Sequence, residues 1–103
     1  MKIYENISEL IGKTPLVRLS NYNDTEADIL AKLEYFNPAG SVKDRVAKAM
    51  LEAAEQEGRI RPGNVIIEPT SGNTGIAFAA LGARYGHPVH IFMPAWASEE
   101  RIK

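Results

Sequence analysis

Two β-branched runs separated by a helical stretch constrain the fold of this chain most strongly. Val65-Ile66-Ile67 is the kind of short apolar run found in buried parallel strands. Ile76 to Tyr85 is rich in alanine and predicts a helix that ends at Gly86, and Pro88 to Met93 predicts another strand that ends at Pro94. Because strand, helix and strand alternate, we predict a parallel sheet with right-handed crossovers. Ligands of such sheets gather at the carboxyl ends of the strands.

Shorter elements are predicted in the first third of the chain. Apolar residues at helical spacing between positions 3 and 11 predict a short amphipathic helix that ends at Gly12. Pro15 to Leu19 and Asp28 to Glu34 predict two strands, joined by a polar loop.

Composition places the chain among ordinary soluble globular proteins and limits its chemistry. Its 103 residues suffice for one small domain, with 45% hydrophobic and 24% charged residues and a net charge of −1. The balanced charge argues against general affinity for nucleic acid or anionic membranes. Without cysteine there is no disulfide, thiolate nucleophile or cysteine metal site. Neither a signal-peptide run nor an apolar stretch of about 18 residues is present, so we expect a cytoplasmic protein.

A turn at residues 37–41 runs into a helix that carries Lys43. The turn contains a proline and a glycine, and we predict that the helix begins at Ser41 with a capping box between Ser41 and Asp44. Lys43 then lies in the first turn, where the helix dipole disfavours the ammonium form and a neutral amine is easier to hold. Such an amine forms Schiff bases with carbonyl compounds, pyridoxal phosphate among them. The alternative is a solvated lysine near a helix start.

The helix after Lys43 is expected to stop at Gly58 and to be amphipathic. Its predicted apolar face carries Val46, Ala49, Met50 and Ala53. Its predicted solvated face carries Lys48, Glu52, Glu55 and Glu57. Outside this helix, Tyr35 and Phe36 are expected to pack beside the turn, and His87 and His90 are expected to be structural.

A second polar motif, residues 70–75, follows the first β-branched run. This motif places hydroxyl groups, a side-chain amide and backbone N–H groups around a predicted helix start. Its glycines permit a ligand to approach the backbone closely. This composition favours an anion cradle, and a capped helix with a tight turn is the alternative.

Both motifs resemble one family. Asn37 to Arg45 resembles the cofactor-lysine segment of the cysteine synthases, also called O-acetylserine sulfhydrylases, and Glu68 to Gly75 resembles their substrate-carboxylate loop. The resemblance extends from Ile11 almost to the last residue. These enzymes use pyridoxal 5′-phosphate on a tryptophan synthase β-like fold (fold type II), so the resemblance implies a three-layer α/β fragment with a parallel sheet. It assigns residues 1–34 to the larger domain of that fold and residues 35–103 to the smaller α/β domain.

The resemblance also implies a role for each matching residue. Lys43 matches the catalytic lysine that binds the cofactor covalently, and Asn73 matches the residue that hydrogen-bonds the cofactor's 3′ oxygen. The positions that match the substrate-binding loop are Thr70, Ser71, Gly72, Asn73 and Thr74. No metal site is implied. The family's phosphate-binding loop and ring-nitrogen partner come from a later portion of a longer chain.

The implied reaction is β-replacement, in which acetate leaves O-acetyl-L-serine and sulfide takes its place to give L-cysteine. Cystathionine β-synthase or another fold-type II lyase is an alternative, and a non-catalytic binding or assembly module is a third. The family is typically dimeric and often binds the C-terminal tail of serine acetyltransferase. We expect the 103 residues alone to be inactive. Trp96 departs from the family pattern, and Ser98 to Glu100 predicts a further helix start.

Overall fold

The computed structural model describes residues 1–22, 24–70 and 72–96. Within them, the regular elements in chain order are β1 (Leu16–Arg18), β2 (Leu30–Lys32), α1 (Lys43–Gln56), β3 (Ile66–Pro69), α2 (Asn73–Tyr85) and β4 (Val89–Phe92). Short 3-10 turns occur at Ile7–Leu10, Ser20–Tyr22 and Glu34–Phe36. In this part of the chain, no helix combines the length and the apolar character needed to cross a bilayer. The helix start predicted at Ser98 lies outside the described residues.

The second half of the chain forms the strand–helix–strand unit that the sequence predicts. β3 and β4 are parallel, with Ile66 opposite Val89 and Pro69 opposite Phe92. The helix between them ends at Gly86, whose φ of 78° is a left-handed conformation that glycine adopts without strain. The carboxyl ends of the two strands therefore adjoin, at the edge where ligands of parallel sheets bind.

The two strands near the N-terminus are confirmed, but they do not extend the parallel sheet. β1 and β2 pair with each other in an antiparallel ladder, with Leu16 opposite Lys32. Among its described residues, the connection between them contains a 3-10 turn and no longer helix, whereas a parallel pair needs a long crossover, usually a helix. In contrast to the two strands, the amphipathic helix predicted before Gly12 is wrong. Only one 3-10 turn forms, between a capping box at Asn6 and the left-handed Gly12.

The core lies between α1 and α2. It is formed by Ala47, Leu51, Ala77, Phe78 and Leu81. The predicted apolar face of α1 is wrong, because Val46 and Met50 are 41% and 54% exposed. Apolar residues surround much of this helix, and α2 packs against the neighbouring stripe, where the small side chain at position 47 permits close approach.

Two carboxylates that the sequence assigned to a solvated face make contacts instead. Glu52 accepts a hydrogen bond from the Tyr85 hydroxyl at 3.0 Å. Glu55 lies 2.8 Å from Nε2 of His87, whose other ring nitrogen lies 3.0 Å from the carbonyl oxygen of Asn64. His87 is buried, in agreement with the structural role expected for it, and ties α1 to the turn before β3. Tyr35 and Phe36, expected to pack, are 65% and 58% exposed.

An ion pair joins α1 to the N-terminal segment. The Arg45 guanidinium donates through Nε and Nη2 to the two carboxylate oxygens of Glu34, both at 2.8 Å. Nη2 also donates to the Gly12 carbonyl at 3.1 Å and to the Thr14 hydroxyl at 3.3 Å. Position 12 suits only glycine, because its φ is 85° and an added Cβ would lie 3.0 Å from Arg45 Nη1.

The same carboxylate receives two more hydrogen bonds. Thr14 Oγ1 donates to Glu34 at 2.8 Å, and Nδ2 of Asn37 donates to it at 2.9 Å. Hydrogen bonding to Arg45 lowers the pKa of Glu34 most, followed by the bond from Thr14, and the pKa falls from 4.5 to about 2. The same pairing raises the pKa of Arg45.

The lowered pKa of Glu34 predicts how stability depends on pH. A carboxylate with a depressed pKa contributes stability above its ordinary pKa of 4.5 and loses that contribution as the pH falls toward about 2. We therefore expect Glu34→Gln to lower the urea midpoint at neutral pH and to show a smaller further decline than the unmodified chain between these two pH values. Circular dichroism during urea unfolding at stepped pH measures both effects.

The matched control is Glu57→Gln, because the Glu57 carboxylate pairs with Arg59 in an exposed position. Exposed pairs contribute little, so we expect a change within about 0.5 kcal/mol at every pH. Parallel acid profiles for Glu34→Gln and the unmodified chain would contradict the assignment.

Candidate active site

The turn that carries Lys43 is built differently from its predicted form. α1 begins at Lys43, two residues later than expected, and its N-cap residue Val42 makes no side-chain cap. The Ser41 hydroxyl accepts from the backbone N–H of Lys43 at 3.1 Å. The predicted capping box is wrong, because the Asp44 carboxylate accepts from the backbone N–H of Ala39 at 2.6 Å and does not bond Ser41.

The beginning of this turn is anchored to the N-terminal segment through Asn37. This side chain is buried, accepts from the Gly12 backbone N–H at 2.8 Å and donates to the Glu34 carbonyl at 2.9 Å. The turn then closes where the Gly40 N–H donates to the Asn37 carbonyl at 2.8 Å, with a φ of 95° at Gly40. The backbone that precedes Lys43 is therefore fixed from two sides, while the lysine side chain is exposed.

The second motif lies between β3 and α2. The Thr70 hydroxyl accepts from the Gly72 backbone N–H at 3.2 Å, and α2 begins at Asn73 with Gly72 as its N-cap. Gly75 permits this arrangement, because an added Cβ would lie 2.6 Å from the Thr70 methyl group. The loop is therefore packed closely against the first turn of α2, at the carboxyl end of β3.

The side chains expected to bind ligand differ in their surroundings. Asn73 is exposed and Thr74 is half-buried, and neither side chain hydrogen-bonds another residue within the described ranges. The Thr70 hydroxyl already holds the loop. Ser71, also assigned to the substrate, lies outside the described residues. Asn73 and Thr74 lie in the first turn of a helix, where backbone N–H groups and the helix dipole favour an anion.

The core relates the two motifs to each other. Ala47 and Ala77 lie four residues after the first residues of α1 and α2, and Leu51 and Leu81 lie eight residues after them. All four belong to one core cluster, so the part of α1 that follows the lysine turn and the part of α2 that follows the polar loop pack into the same core. A primary amine at one helix start suits covalent attachment of an aldehyde, and backbone donors at the other suit a small anion such as a carboxylate.

Comparisons with known proteins identify the family to which the chain is similar. Residues 7–103 match the family described as pyridoxal-phosphate dependent enzyme. Cysteine synthase of Staphylococcus aureus (strain Mu50 / ATCC 700699) is 54% identical over 101 residues, which are 97% of this chain and 33% of that protein. A crystal structure of cysteine synthase from Entamoeba histolytica is 50% identical with a TM-score of 0.92 over 98% of this chain and 31% of that one.

A third relative has a different activity. The crystal structure of O-acetylserine dependent cystathionine β-synthase from Helicobacter pylori is 35% identical with a TM-score of 0.87, over 99% of this chain and 34% of that one. These similarities confirm the fold class, a fragment of the tryptophan synthase β-like fold, and the resemblance to the cysteine synthases. The chain spans about a third of the length of the curated relatives it matches. Because the family match covers all but its first six residues, this chain belongs to the pyridoxal-phosphate dependent enzymes.

Proposed function

We propose that this chain carries the cofactor lysine and the substrate loop of a cysteine synthase, which forms L-cysteine from O-acetyl-L-serine and sulfide. The observation that carries the proposal is the Lys43 turn. Its backbone is held by Asn37 and Asp44, and the amine-bearing side chain is exposed at the first residue of a helix. A fixed backbone with an accessible amine suits a residue that forms a covalent bond with an aldehyde.

The donor set fits pyridoxal phosphate. Lys43 would supply the amine for the aldehyde carbon, and the amide of Asn73 would supply a donor for the 3′ oxygen. When bound, this cofactor supplies an electron sink for negative charge developed at the α-carbon of an amino acid. Lys43 would hold the cofactor, and its amine, when not bonded to it, would be the base that accepts the α-proton at Nζ.

The substrate's carboxylate is assigned to the loop that begins α2. The hydroxyl of Thr74, which bonds no other side chain within the described residues, would donate to it. Ser71 and Thr70 are assigned with it by sequence, and the Thr70 hydroxyl also holds the loop in place. Gly72, as N-cap, leaves open space beside the backbone, because an added Cβ there would meet nothing within 4 Å. This combination favours a small anion at the start of α2.

The substrates are proposed from the relatives. The proteins from Staphylococcus aureus and Entamoeba histolytica are cysteine synthases, and they are more similar to this chain than the cystathionine β-synthase from Helicobacter pylori. Because the protein from Helicobacter pylori is also similar, cystathionine formation is the second candidate function. We also propose that the protein forms a homodimer and is located in the cytoplasm. As a partner we propose the C-terminal tail of serine acetyltransferase, which the family often binds. In this proposal residues 1–34, with their separate β1–β2 ladder, belong to the larger domain and residues 35–103 to the smaller.

The first test concerns covalent attachment to Lys43. It uses a hybrid protein in which this chain replaces the matching first third of the Staphylococcus aureus cysteine synthase. We expect Lys43→Ala to abolish borohydride-fixed pyridoxal phosphate, because the attacking amine is removed. Lys48→Ala is the matched control, five residues along the same helix, and should retain it. Peptide mapping that found the cofactor on Lys48 or Lys32 would overturn the assignment.

A second test separates substrate binding from cofactor binding. Thr74→Val in the hybrid protein keeps the shape of the side chain and removes its hydroxyl. Loss of one hydrogen bond to a charged group should weaken O-acetylserine binding about tenfold to a hundredfold, while covalent cofactor attachment persists. Spectroscopic titration with O-acetylserine measures the affinity. An unchanged titration would remove Thr74 from the carboxylate site.

A third test distinguishes an enzyme from a non-catalytic assembly module. We expect this chain alone, given pyridoxal phosphate, O-acetylserine and sulfide, to form no cysteine, and to gain activity when mixed with the separately expressed remainder of the Staphylococcus aureus protein. Homocysteine in place of sulfide, with cystathionine as product, tests the second candidate. Equal rates with and without the remainder would contradict the expectation, and a mixture that assembles without any turnover would favour the module.

A further inference from the structure

Asp44 is buried in a way that its neighbours on α1 do not share. It is 1% exposed and is the largest side chain among the described residues to be fully buried. The adjacent Lys43 is exposed, and Arg45 is half-buried in the pair with Glu34. Burial raises the pKa of the Asp44 carboxyl, and the hydrogen bond from Ala39 opposes part of that effect.

One oxygen of this carboxyl closes a loop in the backbone around Lys43. Oδ2 accepts from the Ala39 N–H at 2.6 Å, so the side chain bridges back over the residues between Ala39 and Asp44. Gly40 and Lys43 both lie inside this bridge, and the turn's own backbone bond from Gly40 to Asn37 overlaps its beginning. Without Asp44, the residues between Ala39 and Lys43 would keep the Ser41 hydroxyl as their side-chain contact within the described part of the chain, and the Arg45 pair with Glu34 would still hold the first turn of α1.

The other oxygen shows that the bridge is costly. Oδ1 is buried and has no hydrogen-bond partner within the described part of the chain. A buried polar atom without a partner is destabilising, and such atoms in folded proteins are uncommon. A position at the start of α1 offsets part of the cost, because the helix dipole favours negative charge there. This destabilisation is explained if the hydrogen bond of Oδ2 positions the neighbouring lysine.

We propose that Asp44 is a positioning residue for Lys43, and that its hydrogen bond to Ala39 fixes the direction from which the lysine leaves the start of α1. This inference rests on the proposed function, because it concerns the approach of the Lys43 amine to the aldehyde. It assigns no contact between Asp44 and cofactor or substrate. It follows that removing the bond slows the chemistry at Lys43 without removing the amine.

The experiment compares three replacements of Asp44 in the hybrid protein. Asp44→Leu has a similar shape and cannot accept a hydrogen bond, and Asp44→Ala removes the acceptor by truncation in case the leucine does not fit. Asp44→Asn keeps an oxygen that can accept from Ala39. Leu51→Ala is the control for general damage, since Leu51 is a core residue of the same helix, two turns away.

Two readouts distinguish positioning from a structural role. We expect Asp44→Leu and Asp44→Ala to slow borohydride-trapped attachment at Lys43 and to lower kcat by about tenfold to a hundredfold, with a much smaller change in KM for O-acetylserine. Hydrogen exchange at the Ala39 amide should rise in both variants. Asp44→Asn should restore most of the rate and of the exchange protection, and Leu51→Ala should lower the melting temperature while leaving attachment at Lys43 unchanged.

The outcomes separate this inference from the proposed function. Attachment at Lys43 that is as fast in Asp44→Leu and Asp44→Ala as in the unmodified hybrid overturns the inference and leaves the function intact. Equal slowing by Leu51→Ala also overturns it, because the effect would then be general destabilisation. Attachment at another lysine in the unmodified hybrid overturns the proposed function and this inference together.

Discussion

The bidentate pair between Arg45 and Glu34 is the interaction on which the rest of the structure depends. It joins the first turn of α1 to the segment that follows β2. The same guanidinium donates hydrogen bonds to Gly12 and Thr14, which precede β1. Asn37 reaches Gly12 and Glu34 from the other side. Three separate parts of the chain thus meet at one carboxylate, and the position of Lys43 follows from that meeting because it precedes Arg45 by two residues.

The second motif depends on packing rather than charge. Gly75 lets the first turn of α2 lie against Thr70, and Gly82 lets its middle lie against Val89, where an added Cβ would collide with the valine side chain. Small residues on one side of α2 therefore set its distance from the sheet. The two motifs are positioned by different means, one by hydrogen bonds and one by close approach, and they are related through the shared core of α1 and α2.

The sequence predicted the elements whose signals are local. Gly86 and Gly58 end helices where a left-handed residue is needed, and the β-branched run at 65–67 became β3. Prediction from the sequence failed where the structure is decided by a contact that a local pattern does not reveal. The spacing of Glu34 and Arg45 does not indicate that the two side chains form an ion pair. The sequence also assigns the Asp44 carboxylate to a local helix cap, because such caps are common, whereas the carboxylate accepts a hydrogen bond from the backbone N–H of Ala39. The buried stripe of α1 was missed because the choice between two apolar stripes is made by α2, not by α1.

The two faces of the β3–β4 pair differ in how far their apolar side chains are covered. Ile66 and Val89 lie toward the core, while Ile67 and Phe92, on the alternate face, are 63% and 60% exposed. Parallel sheets in α/β proteins are covered on both faces, because both carry apolar side chains. The chain spans about a third of the length of its cysteine synthase relatives, and this exposed apolar face is the surface that a second layer would cover. The packing of that layer on Ile67 and Phe92 would bury apolar surface beside the loop that begins α2, and so couple completion of the fold to completion of the site.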